Sequence, residues 1–296
     1  MIYADHALAC RLENLLRSEY RRLAGVTRTA FPNVAVERME AGGGVALWLG
    51  EGSPVNTAVG LGMGVPVEDG ELERLESFYH DRGAPARISL CPLADASLLH
   101  GVGRRGWQAA GFEHVLVVGL EKHASGDAEV ARGAPLGLPG LASIYAADPI
   151  VNADLALPGV EIRVCMPEER ALWGRTAAQG FSDDRSPEPA EQDFGRIMAE
   201  RDDAILVMAW VDGWPAGTGA LVIDGGVGWL SGDSTLPRYR RQGVQQAIQR
   251  HRLQLARDAG CDLGVTEAEP GGQSQRNMER LGFRIVYTHV EFVKLS

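Results

Sequence analysis

The chain has 296 residues, longer than a single core usually grows, which points to two domains. It is 45% hydrophobic and 23% charged, as soluble globular proteins are, and no run is long and apolar enough for a membrane span. A formal net charge of −10 argues against broad nucleic-acid binding, and the start Met1-Ile2-Tyr3-Ala4-Asp5-His6 lacks a signal-peptide pattern, so a cytoplasmic location is expected.

In the first half, a strand-like 56–60 leads into a glycine-rich stretch from Leu61 to Gly70. Those glycines can turn the chain, but the stretch has no arginine, and Glu68, Asp69 and Glu71 would repel a bound anion. A helix pattern over 72–80, Gly83, an apolar strand at 88–91, Pro92 and a helix over 97–102 follow. Arg105-Gly106-Trp107 and a strand at 115–120 close this half. Residues 122–159 are rich in Gly, Ala and Pro without sustained periodicity and read as a linker, with room for one short helix near 141–147.

The second half opens on an alternating edge strand at 160–164. Pro167 then suits the first turn of a helix reaching about residue 178, with Glu168 and Glu169 near its positive end. An acid-rich loop over 181–193 precedes a helix at 194–201. Two apolar strands, 204–211 and 216–223, are joined by Asp212-Gly213-Trp214-Pro215, a hairpin signal. A strand at 227–230 continues through Ser231 to Thr235 into Leu236-Pro237-Arg238-Tyr239-Arg240-Arg241-Gln242-Gly243-Val244-Gln245 and a helix over 246–259. A strand at 262–266, a helix at 274–280, Leu281-Gly282-Phe283 and a last strand at 284–294 complete the chain.

The two halves share a plan. Gly260 lies 177 residues after Gly83, Pro270 178 after Pro92, and Gly282 176 after Gly106, which indicates a duplicated domain. The copies differ at the turn before the long helix. Helix N-termini leave unpaired N–H groups and carry partial positive charge. Gly243 would let a phosphate approach, and Arg238, Arg240 and Arg241 surround it with cations, so the turn reads as an anion site or as a solvated cap with three surface arginines. No G-x-G-x-x-G occurs there, which argues against a dinucleotide fold. His251 sits in the apolar stripe of Val244, Ala247, Ile248, Leu255 and Ala259, as a packed, hydrogen-bonded histidine or a catalytic one. The four cysteines, Cys10, Cys91, Cys165 and Cys261, are widely spaced without C-x-x-C or histidine pairing, and are expected as reduced, mostly buried thiols with no metal.

The strand, the Arg240-to-Gln245 turn, the helix and Leu281-Gly282-Phe283 together resemble the GNAT superfamily of acyl-CoA-dependent N-acyltransferases. The turn matches that family's R/Q-x-x-G-x-G/A pattern, with Gln245 in place of the last small residue. The resemblance implies an α/β fold of two tandem GNAT-like domains, each a mostly antiparallel, twisted mixed sheet flanked by helices. Residues 1–121 would be a degenerate copy and 160–296 the catalytic domain. It implies acetyl-CoA as cofactor, held through Asp233, Ser234 and Thr235 at the pantetheine and Arg241, Gln242, Gly243, Val244, Gln245 and Gln246 at the pyrophosphate. Ser274 and Asn277 would add contacts from the short helix. The acceptor would be a small-molecule or peptide amine, drawn by Asp183 and Asp184, and the chain a monomer or homodimer. The family's acidic tyrosine falls on Met278, which cannot donate a proton. Glu267 is the first candidate for the base, Asp233 the second, and Tyr287 a candidate acid or a strand tyrosine. A non-catalytic acyl-CoA-binding protein is the rival reading.

Overall fold

The computed structural model describes residues 2–120 and 159–295, so the expected short helix near 141–147 lies outside the described residues. The chain forms two compact units. One takes residues up to 118, with 186–201 and 265 onward; the other takes the described residues from 119 to 185 and from 202 to 264.

The first unit begins with helix α1 (His6–Ala30), whose start is fixed by Asp5 accepting a hydrogen bond from the Leu8 amide at 2.8 Å. Leu12, Leu15, Leu16 and Leu23 recur at helical spacing and are buried along one face. Strands β1 (Glu37–Ala41) and β2 (Gly44–Trp48) form an antiparallel hairpin, and β2 pairs antiparallel with the two-residue β3 (Ala58–Val59). The expected strand at 56–60 is this short because Gly60, Gly62 and Gly64 all take positive φ and turn the chain away.

Helix α2 (Asp69–His80) crosses over to β4 (Ala86–Leu90), which runs parallel to β3. The crossover buries Leu72, Leu75, Phe78 and Tyr79 in a core shared with Trp48, Ile88, Leu98 and Trp107. Helix α3 (Ala96–Arg104) and β5 (Gln108–Gly119) follow.

The second unit is an antiparallel meander in the order β9-β8-β7-β6, built from β6 (Val160–Val164), β7 (Ala204–Val211), β8 (Trp214–Asp224) and β9 (Val227–Thr235). A single helical turn (Pro167–Glu169) leads into α4 (Arg170–Phe181), where Trp173 is buried and donates its indole N–H to the Val207 carbonyl at 3.0 Å. Helix α5 (Pro189–Ala199) starts five residues before the expected 194 because Pro189 is preset for the first helical position. It belongs to the first unit, where Arg201, just beyond it, is fully buried and donates to the Glu19 carboxylate at 2.8 Å. Helix α6 (Val244–Asp258) packs on β8 and β9.

Strand β10 (Leu263–Ala268) straddles the division. Helix α7 (Gln273–Arg280) and β11 (Arg284–Lys294) then lie in the first unit. There β11 pairs antiparallel with both β4 and β5, placing Val290 opposite Leu90 and His289 opposite Glu113. The element order β1-β2-β3-α2-β4-α3-β5 recurs as β7-β8-β9-α6-β10-α7-β11, as the repeated marks predict. The last strand satisfies its backbone between two strands of the first copy, which places it in the first compact unit.

Cys10, Cys91, Cys165 and Cys261 are all free, the last three buried, and burial pushes the Cys91 and Cys165 thiols up to about 12. Among the described residues no helix is long and apolar enough to cross a membrane, and no group of three or more His, Cys, Asp or Glu could hold a metal ion.

Candidate functional site

In the second unit the turn between β9 and α6 has the geometry an anion needs. Residues 237–239 form one helical turn, Arg240 is extended, and Arg241 (φ 63°) and Gly243 (φ 81°) are left-handed. Gly243 is the N-cap of α6, offers no side chain to cap it, and is followed by no acid in the first turn. The helix dipole there is therefore unbalanced by any charge of α6 itself.

The arginines divide their work. Arg240 donates to the Thr235 and Gly180 carbonyls, both at 3.0 Å, and pairs with Asp183 at 2.6 Å, so it pins the loop after α4 to the turn. Arg238 stacks over Tyr239 with 4.7 Å to the ring centre, while Arg241 and Gln242 are exposed. Gln242 steadies the turn by donating to the Arg238 carbonyl at 3.0 Å, and Val244 is buried. Asp184 is exposed beside the paired Asp183.

Strand β9 carries a bulge ahead of the turn. Thr218 faces Ser234 and Ala220 faces Ser231, so Gly232 and Asp233 oppose the single residue Gly219. Gly232 takes φ 63°, and a side chain there would crowd the Trp173 indole at 3.2 Å. Asp233 is already engaged. It pairs with Arg252, which is fully buried and also donates to the Ala220 and Ser231 carbonyls at 2.7 and 2.9 Å. That carboxylate is committed to closing a buried guanidinium, which weighs against Asp233 as base. Ser234 is buried with its hydroxyl 2.8 Å from that of Thr218, so only its backbone can reach a ligand. His251 is half-buried, and burial and then Arg252 lower its pKa from the ordinary imidazole value.

In the first unit, α2 begins differently. The Glu71 carboxylate accepts from the Gly42 amide at 2.7 Å and from the Glu68 amide at 3.1 Å, so an internal anion sits at that helix start.

Glu267, on β10, is part of a polar group in the first unit. Its carboxylate lies 3.3 Å from His289 Nδ1, and its side chain is 20% exposed. The other ring nitrogen of His289 lies 2.6 Å from Glu13 of α1, which also accepts from the Tyr287 hydroxyl at 2.8 Å. Tyr287 is buried, and burial followed by Glu13 raises its pKa, so this phenol is a committed donor. On α7, Asn277 accepts from Gln273 and Arg280, Ser274 is half-buried on the same helix, and Met278 is buried. Sequence reasoning missed Glu13 and His289. The signal was present in β11, where Tyr287, His289 and Glu291 place polar groups two apart on one strand face.

Residues 170–283 match the model of the acetyltransferase (GNAT) family. Among solved structures the chain is similar to a GCN5-related N-acetyltransferase from Kribbella flavida, 21% identical over 94% of this chain and 96% of that one, with a TM-score of 0.57. It is similar also to a tandem GNAT protein from the clavulanic acid biosynthesis pathway, 12% identical over 88% and 83%, with a TM-score of 0.54. A GCN5-related N-acetyltransferase from Sphaerobacter thermophilus is 17% identical over 84% and 71%, with a TM-score of 0.52. These likenesses establish the tandem GNAT fold of the chain. Comparison with curated protein sequences finds no match.

Proposed function

We propose that this GNAT acetyltransferase chain transfers an acetyl group from acetyl-CoA to a primary amine. The observation that carries the reading is the left-handed Gly243 cap of α6, open to an anion and lacking any first-turn acid. Residues 241–246 would hold the pyrophosphate, the backbone of Asp233, Ser234 and Thr235 at the bulged end of β9 the pantetheine amides, and Ser274 and Asn277 further contacts. Acetyl-CoA would supply the acyl group as an activated thioester. This chain supplies orientation and proton removal, the latter by Glu267. Asp184 is the better placed of the two loop acids to draw a cationic acceptor, because Asp183 already answers Arg240.

A second reading, a non-catalytic acyl-CoA-binding protein, draws on Met278 at the position of the family's tyrosine and on the commitment of Tyr287 to Glu13. The full chain, incubated with acetyl-CoA and a panel of primary amines under thiol detection, should release CoA with at least one amine. Acetyl-CoA binding without thiol release from any amine would favour the second reading.

Division of labour follows from the two helix starts. With Glu71 occupying the first and Gly243 leaving the second open, calorimetric titration of the full chain should saturate at one acetyl-CoA per chain. A stoichiometry of two would refute the assignment of the first copy as degenerate.

A further inference from the structure

Buried in the first unit is a set of ionisable groups that the mechanism above does not use. Glu13 is wholly buried on α1, on the face that also buries Leu12, Leu15, Leu16 and Leu23, and His289 is 1% exposed. Such groups persist in a core only when they are paired. They are paired in series. The Tyr287 hydroxyl donates to Glu13 Oε1 at 2.8 Å, His289 Nε2 meets the same oxygen at 2.6 Å, and His289 Nδ1 stands 3.3 Å from Glu267, the member of the series that reaches solvent. Tyr287 also packs its ring edge-on to the imidazole at 5.3 Å. Every element around His289 adds a titratable group: Glu13 and Tyr20 from α1, Cys91 after β4, Glu113 from β5, Glu267 from β10, and Tyr287 and Glu291 from β11. Burial opposes protonation of His289, but Glu13 and then Glu267 outweigh it and raise the pKa well above the ordinary imidazole value. His289 is thus an imidazole whose protonated form Glu13 and Glu267 favour.

We propose that Glu13 and His289 are positioning residues for Glu267: Glu13 fixes the imidazole ring through Nε2, and the ring sets its charge beside the Glu267 carboxylate, 3.3 Å from Nδ1. This rests on Glu267 acting as the base. The arrangement gives that carboxylate a counter-charge within a group it shares with Glu113 and Glu291.

The test uses the full chain as Glu13→Gln, His289→Gln and Glu267→Gln, with kcat–pH profiles on one accepted amine. Glu13→Gln keeps an acceptor for Tyr287 and His289 and removes only the charge. Its acid-side limb should move up by about one pH unit, so that kcat at a pH below that limb falls roughly tenfold while the high-pH plateau and KM for acetyl-CoA stay little changed. His289→Gln should do the same more strongly. Nitrogen-15 spectra of the imidazole provide a readout independent of turnover: His289 should be protonated at pH 7 in the wild type and neutral in Glu13→Gln. An inactive Glu267→Gln beside a Glu13→Gln variant with the wild-type limb and a protonated His289 overturns the positioning role. A fully active Glu267→Gln overturns the base assignment itself, and the proposal with it.

Discussion

Replacing Glu267 by glutamine should lower kcat by roughly 10²–10⁴-fold while leaving the affinity for acetyl-CoA within about twofold. Glutamine keeps the length and shape of the side chain and cannot take a proton from an attacking amine. The fold should survive, because the substitution removes one negative charge from a crowded group. Glu113 shows the crowding: burial first, and then Glu267 and Glu291, push its carboxyl up to about 8. A carboxyl that binds its proton more tightly when folded destabilises the native state as pH rises from about 4.3, the unfolded value, through 8. Loss of the Glu267 charge narrows that window, so the melting temperature of the variant at pH 8 should equal or exceed that of the wild type. Steady-state turnover, acetyl-CoA calorimetry and melting at pH 6 and pH 8 separate the effects. Full turnover in the variant would pass proton removal to water.

The elements with strong local patterns were legible from sequence alone. The strands at 160–164, 204–211 and 284–294 fall where alternation and flanking turns place them. The repeated order of strands and helices, the turn at Gly243 and the short helix before Leu281-Gly282-Phe283 are likewise found. Helix α1 went unread although Asp5 caps it and leucines line it, because its stripe is interrupted by Glu13, Glu19 and Tyr20, which look like a solvated face in sequence. Glu13 and Glu19 face the core because they have partners very far along the chain.

That distance is why the site was less legible than the fold. Glu13 and His289 are 276 residues apart, and Glu19 and Arg201 are 182 apart, so no local window contains either pair. Asp233 reads as a free acid at a strand end until Arg252, from the middle of the following helix, arrives beneath it. Asp183 reads as an acceptor contact until Arg240 meets it. Motifs that present backbone are visible in sequence because glycine and strand-to-helix order encode them. The partners of a side chain are set by packing.

Replacing Gly243 by glutamate should abolish the stabilisation of the full chain by acetyl-CoA. In the wild type, cofactor at 100 times its dissociation constant should add about 2.7 kcal/mol, a rise of about 5 °C in melting temperature for a chain of this size. Two effects act in the variant and can be separated. The left-handed backbone at position 243 (φ 81°) strains any residue with a Cβ, at a cost of about 1–2 kcal/mol, so Gly243→Ala carries the strain without the charge. Both variants should therefore melt a few degrees below the wild type without ligand. Only the glutamate also places a carboxylate at the start of α6, where it answers the helix dipole much as Glu71 does at the start of α2, and repels the pyrophosphate. Gly243→Ala should keep most of the acetyl-CoA shift and Gly243→Glu none of it. Raising the salt concentration should rescue Gly243→Glu only weakly, because the competing anion is covalently held at the site. Equal shifts in wild type and Gly243→Glu would remove the turn from cofactor binding, and loss of the shift in both variants would show that backbone geometry, and not charge, is what the site requires.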